Sequence, residues 1–179
     1  LQADTVVTDN VEAARHATIR LIEMGCKHLV CLAFSRHASS ALDRVKGFKI
    51  ALEEKNYPVE ESSVIIAHGT ETAAALDAHV EKYGIPDGIL GTSDLSVINT
   101  VKFLRQKGIK VPEQVKVTGS FYSSPWNEIL DSPLFIVGQD HEKMAQRAVR
   151  YLIERIENPD RDVEPRFDLL PAKYFHETE

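Results

Sequence analysis

The sequence predicts an α/β fold, an open parallel sheet flanked by helices. Apolar runs bounded by turn residues alternate with amphipathic helical stretches along the chain, the pattern of βα units. Four connections, "SRHASS", "HGT", "SD" and "SFYSSPW", fall at strand carboxyl ends. In an open parallel sheet these gather on one rim, where ligands sit.

The elements follow in order. Residues 5–8 (TVVT) read as a buried strand, and Asp9-Asn10 stops it and caps a helix starting at Val11. Residues 28–34 (HLVCLAF) are a continuous apolar strand. Residues 41–55 are a helix with Val45, Phe48, Ala51 and Leu52 on one face, capped by Ser40 with Asp43 three residues on. Residues 63–67 are the next strand, and Thr70 caps a helix carrying Ala73, Leu76 and Val80 that ends near Gly84. Residues 88–92 are a strand; Ser93 caps a helix with Val97, Ile98, Val101 and Leu104 inward, stopped by Gly108 and Pro112. Residues 115–119 and 134–137 are strands, and the irregular segment 122–133 between them carries Tyr122 and Trp126. A long helix, 140–157, has Met144, Ala148, Tyr151, Leu152 and Ile156 on its buried side. Residues 167–175 are a final strand; Pro171 lacks the N–H that a central ladder needs, so this strand is irregular or at an edge.

Composition excludes several classes. With 179 residues, 43% hydrophobic and 27% charged, the chain is long enough for one domain or two small lobes. No apolar run approaches membrane-spanning length, and nothing at the N-terminus reads as a secretory leader. A net charge of −6 makes this chain alone a poor nucleic-acid binder. Two cysteines, Cys26 and Cys31, suit a reducing cytoplasm. As zinc ligands with His28 they fail, because on a strand Cys26 and His28 share a face and Cys31 points to the other. The seven histidines form no H-x₃-H pair, and no G-x-G-x-x-G or P-loop is present, so neither metal nor cofactor is expected.

A series of motifs, "VVTDN", "LIEMGCKHL", "RVKGFKIAL", "PDGILGTSD", "GIKVPEQVKVTGSF", "IVGQDHEKMAQRAVRYLIERIENP" and "LLPAKYF", resembles the effector-binding portion of the LacI/GalR family of bacterial transcription regulators in order and spacing. The resemblance implies a periplasmic binding protein-like sensor of two lobes, mainly its C-terminal lobe, in a cytoplasmic repressor. On it, residues 1–10 are a remnant strand of the N-terminal lobe and the crossover, 11–138 the C-terminal lobe, 139–165 a remnant N-lobe helix and loop, and 166–179 the final C-lobe strand and tail. It further implies a small-molecule effector of the sugar or sugar-derivative class and a homodimer with no membrane partner. Operator DNA would be reached only through an N-terminal domain outside this chain.

The effector site that the resemblance implies comprises Ser40, Arg44, Thr70, Ser93, Asp94, Phe121, Tyr122, Trp126 and Gln139. The family places an arginine at the position of Arg44, and a guanidinium fork suits hydroxyl or carboxylate oxygens. Two positions depart from the pattern: Ser93 stands where an asparagine is usual, and Phe121 where an aspartate accepts effector hydroxyls. Losing such acceptors weakens a simple sugar, while Phe121, Tyr122 and Trp126 offer stacking area. The expected ligand therefore joins a flat or apolar portion to an acidic or phosphorylated end, or is a larger glycan fragment. Alternatively Phe121 fills the pocket. Ser93 and Thr70 also read as plain helix caps, and Arg44 as a partner for a helix-surface acid. Other readings are a solute-binding protein for a transporter or chemoreceptor, a sensor carrying a GntR-type winged helix, and a hydrolase using Ser93 at a strand-to-helix turn.

Overall fold

The computed structural model describes residues 3–121, 136–158 and 164–175. Among these residues the strands are β1 (Thr5–Thr8), β2 (Leu29–Ala33), β3 (Val64–Ile66), β4 (Gly88–Gly91), β5 (Lys116–Phe121), β6 (Ile136–Gly138), β7 (Phe167–Leu170) and β8 (Lys173–Phe175). The helices are α1 (Asn10–Glu23), α2 (Ser39–Glu54), α3 (Glu71–Tyr83), α4 (Asp94–Gln106) and α5 (His141–Glu157).

The expected parallel sheet is present, in the order β3-β2-β4-β5-β6-β8, with only β8 antiparallel. Successive residues of its strands feed opposite faces. Leu32, Ile89 and Val117 pack with Leu76, Val97, Val101 and Leu104 of α3 and α4. Cys31, Leu90 and Val137 pack with Ala13, Ala17, Phe48 and Leu52 of α1 and α2. A sheet covered by helices on both sides has no solvated face, which is why its strands read as unbroken apolar runs. Cys26 and Cys31 lie in the same cluster, correcting the expectation that they face opposite ways, because Cys26 sits in the turn before β2. Burial pushes their thiols up to about 11 and about 12, so both stay protonated at neutral pH.

The tight α1–α2 contact rests on Gly47. A Cβ there would meet the Val11 carbonyl oxygen and stand 2.9 Å from the Arg15 nitrogen. At the other end of the sheet, Gly91 and Gly119 are register partners. A Cβ on either would collide with the Val97 side chain, so the start of α4 rests directly on the two strand ends.

The last strand divides. Residues 167–170 form β7, which pairs in parallel with β1 in a separate two-stranded sheet; residues 173–175 form β8 beside β6. The break falls at Pro171-Ala172, where proline cannot donate to a ladder. The passages between the sheets are stitched together. Asp9 N donates to Leu170 O at 2.8 Å, and Lys173 Nζ meets Asp140 Oδ1 at 3.0 Å.

Helix α5 packs on β1 and β7: Thr8 Oγ1 lies 3.5 Å from Met144 Sδ, and Tyr151 donates to Asp168 of β7 at 2.8 Å. Its expected buried side is corrected, however. Tyr151 is buried, but Leu152 and Ile156 are 60% and 68% exposed, and Ala148 is exposed too. Two strands are too narrow to cover both its apolar residues and Phe167 and Leu169 of β7, which are likewise exposed.

An ion pair locks this small unit. Arg155 holds the Asp4 carboxylate through two contacts, of 2.8 and 2.9 Å, and Arg166 N donates to it at 2.8 Å. The Arg155 hydrogen bond, with the Arg166 amide, holds the Asp4 carboxyl well below its usual range. A depressed carboxyl contributes stability that is full above its unfolded value, near pH 4, and is lost as pH falls through the folded one. Hydrogen-exchange protection of the Thr5–Thr8 amides should therefore decline from about pH 5 to about pH 2. In Asp4→Asn it should start lower and lose that dependence; a variant that keeps the same profile would refute the assignment.

Candidate functional site

The chain leaves β2 towards β3 on one flank and returns to β4 on the other, so the sheet's switch point lies between β2 and β4. Crevices for ligands open there, at the carboxyl ends of the strands. Thr92, directly after β4, ties the switch together. Its N–H donates to Leu32 O at 3.0 Å, and its hydroxyl accepts from Phe34 N at 3.1 Å.

Arg44 reaches this point from α2. It is 8% exposed. Its Nη1 donates to Thr92 O at 2.6 Å, and its Nε and Nη2 donate to Asn10 Oδ1 at 3.0 and 2.7 Å. Asn10 opens α1 immediately after the passage from β1, so one guanidinium joins the sheet's switch point to the chain's entry into this body. Burial lowers the Arg44 pKa, and the negative charges of Asp94 and Asp43 oppose that shift. Among the described residues, three of its five N–H groups are committed to these hydrogen bonds. Sequence reading singled out Arg44 but neither Asn10 nor Thr92. The signal for them was thin: one Asn in a helix start and one Thr ending an apolar strand.

The remaining candidates distribute along the rim. Ser93 does cap α4, accepting from Ser96 N at 3.1 Å, and its hydroxyl lies 2.9 Å from that of Ser96. Asp94, half-buried, begins α4. Gln139 follows β6, and Phe121 closes β5 with its backbone in register with Gly138. Tyr122 and Trp126 lie outside the described residues, as does the side chain of Phe121.

Two expected caps are corrected. Ser40 is not the cap of α2, which begins at Ser39 after Ala38 with no side-chain cap bond. Instead Ser35 Oγ accepts from His37 N and Ala38 N, both at 3.1 Å, and shapes the loop one step earlier. Thr70 occupies the cap position of α3 but is already helical in backbone, so its side chain makes no cap bond. It lines a groove of about 430 Å³ between α3 and α4 with Gly69, Ala73, Asn99, Lys102, Phe103 and Gln106. Arg44 is not among the residues lining that groove.

Comparison with known proteins places the fold in a family. Residues 18–174 match the model of the periplasmic binding protein-like domain. The HTH-type transcriptional repressor PurR of Vibrio atlanticus is 30% identical over 173 residues, covering 95% of this chain and 51% of its own length. The HTH-type transcriptional regulator CelR of Thermobifida fusca is 29% identical over 87% of this chain and 46% of its own. A solved complex of a regulator CelR with cellobiose superposes with a TM-score of 0.86 at 28% identity, covering 97% of this chain and 53% of that one. The chain thus spans about half the length of the curated relatives it matches.

Proposed function

Because the chain belongs to the periplasmic binding protein-like domain family, in the form carried by LacI-type transcription regulators, we propose that it senses a small-molecule effector for such a regulator. The observation that carries this reading is Arg44 at the β2–β4 switch, held by Asn10 and Thr92 and, among the described residues, with two N–H groups to spare.

The effector is an oxygen-rich compound of the sugar or sugar-derivative class, with an acidic or phosphorylated group or a larger glycan frame to meet Arg44. Ser93, Asp94, Phe121, Tyr122, Trp126 and Gln139 complete the rim, with Ser40 and Thr70 farther along it. A ligand acts only through its different affinity for two arrangements of the protein. Arg44 supplies such a difference, because the guanidinium that meets the ligand also grips Asn10 at the passage between the two sheets. The regulator works as a cytoplasmic homodimer, to which α4 contributes a face bearing the exposed Leu95 beside Ile98, Lys102 and Arg105. DNA is reached through a separate headpiece, since a net charge of −6 disfavours binding of phosphates by this chain alone.

Calorimetric titration with neutral mono- and disaccharides and with phosphorylated and acidic sugars tests the reading. A hydrogen bond to a charged group is worth about 1.5–3 kcal/mol, so the Arg44→Ala variant should bind the active compound at least about ten-fold more weakly. Micromolar binding of a plain monosaccharide that survives Arg44→Ala would sink it.

A further inference from the structure

At the end of the sheet opposite the rim, a cavity of about 200 Å³ opens between the start of β2, the residues before β3 and the last turn of α3. His79 faces it from α3. The buried residues of that helix are Thr72, Leu76 and His79, so His79 is its last buried anchor. Tyr83 and Ile85, just beyond, are exposed. The His79 ring packs against His28 and Tyr83, with ring centres 5.5 and 5.0 Å away. Its Nε2 is buried and has no hydrogen-bond partner among the described residues.

We propose that His79 is an acid-released latch, whose protonation frees the last turn of α3 from the entry to β2. An imidazolium carries a hydrogen on both ring nitrogens, whichever tautomer the neutral ring adopts. At Nε2 that hydrogen meets neither an acceptor nor water, so the charged ring is accommodated only when the pocket opens. The β2 side of the pocket is the fixed one. Asp87 accepts from Lys27 N and His28 N at 2.9 Å, and Tyr57 donates to Cys26 O at 3.0 Å. The α3 side, ending in exposed residues, is the one that moves.

Charges reach the pocket from every side. Lys27 and His28 at the entry to β2 oppose a cation on His79, as does Lys82 of α3, whose Nζ lies 4.9 Å from the Tyr83 ring centre. Asp87 before β4 and Glu60 before β3 favour one, but Glu60 is exposed and accepts from Ser62 Oγ at 2.9 Å. Burial, and then the neighbouring His28, hold His79 below its usual pKa, so desolvation outweighs the acids and the ring is neutral at pH 7. A histidine depressed in this way contributes stability that is full above its unfolded value, near pH 6.5, and is lost as pH falls below it. That interval lies above the one in which Asp4 acts.

Hydrogen exchange on the full chain tests the latch. Between about pH 7.5 and about pH 5.5, the protection factors of amides 80–84 should fall by about three- to ten-fold, ten-fold being the ceiling for a single imidazole over that interval. His79→Phe keeps a ring in the pocket and removes the titration, so its protection factors should be equal at the two pH values. Should His79→Phe not fold, the His79 ring signal of the wild type decides by NMR, with a titration midpoint expected below about pH 6.5. Wild-type protection that does not change with pH, a fall that persists in His79→Phe, or a midpoint at or above about pH 6.5 would overturn the proposal.

Discussion

Replacing Gly47 with alanine should lower the melting temperature of the chain by about 5–10 °C, a net loss of roughly 2–3 kcal/mol. The sign makes the experiment informative. Helix propensity alone favours alanine over glycine in a helix interior by about 1 kcal/mol. The geometry says the opposite, because the added Cβ would meet the backbone of α1 at Val11 and Arg15 rather than a side chain that could turn away. Helix α1 would have to retreat along the face where Ala13, Ala17 and Phe48 now pack. Thermal denaturation followed by circular dichroism measures the effect. An unchanged or raised melting temperature would mean that α1 and α2 are not in backbone contact.

Asp87→Ala should be comparably damaging, at about 2–3 kcal/mol, because its carboxylate satisfies both backbone amides at the entry to β2. Its oxygens accept from Lys27 N at 2.9 Å each, and Oδ1 accepts from His28 N at 2.9 Å. The same residue's backbone carbonyl accepts from Lys116 N at the start of β5. Asp87→Asn separates the contributions. It keeps an oxygen that can serve both amides and loses the charge, so about half the destabilisation should remain. Equal melting temperatures for wild type and Asp87→Ala would show that water replaces these bonds without cost.

The sheet and its helices were legible because parallel strands buried on both faces are local features of composition. Turn signals such as Gly84 and Gly108, both with positive φ, marked the helix ends. What stayed hidden depends on where distant segments meet. Ser40 carries the residue type of a cap, yet Ser35 shapes that turn, and nothing local distinguishes the two. Pro171 announced an interruption but not that its two sides join different sheets. The exposure of Leu152 and Ile156 depends on the width of the partner sheet, which helical periodicity does not encode. For the candidate site, the topology rule pointed to the rim, and the resemblance pointed to Arg44. Its partners Asn10 and Thr92 lie 34 and 48 residues away along the chain, beyond the reach of any local pattern.

The three passages between the sheets, at Asp9-Asn10, Gln139-Asp140 and Pro171-Ala172, have a mechanical consequence. Tied to one another by the Asp9–Leu170 and Asp140–Lys173 contacts, they act as knuckles on a common pin. A single tether would let the two bodies tumble and twist freely. Three tethers bound side by side resist torsion and sliding and leave bending about the line of the knuckles as the soft coordinate. Any motion of one sheet against the other would thereby be channelled into one swing. Arg44, gripping Asn10 at one knuckle, stands where a small force has the shortest lever arm and its displacement is amplified most with distance.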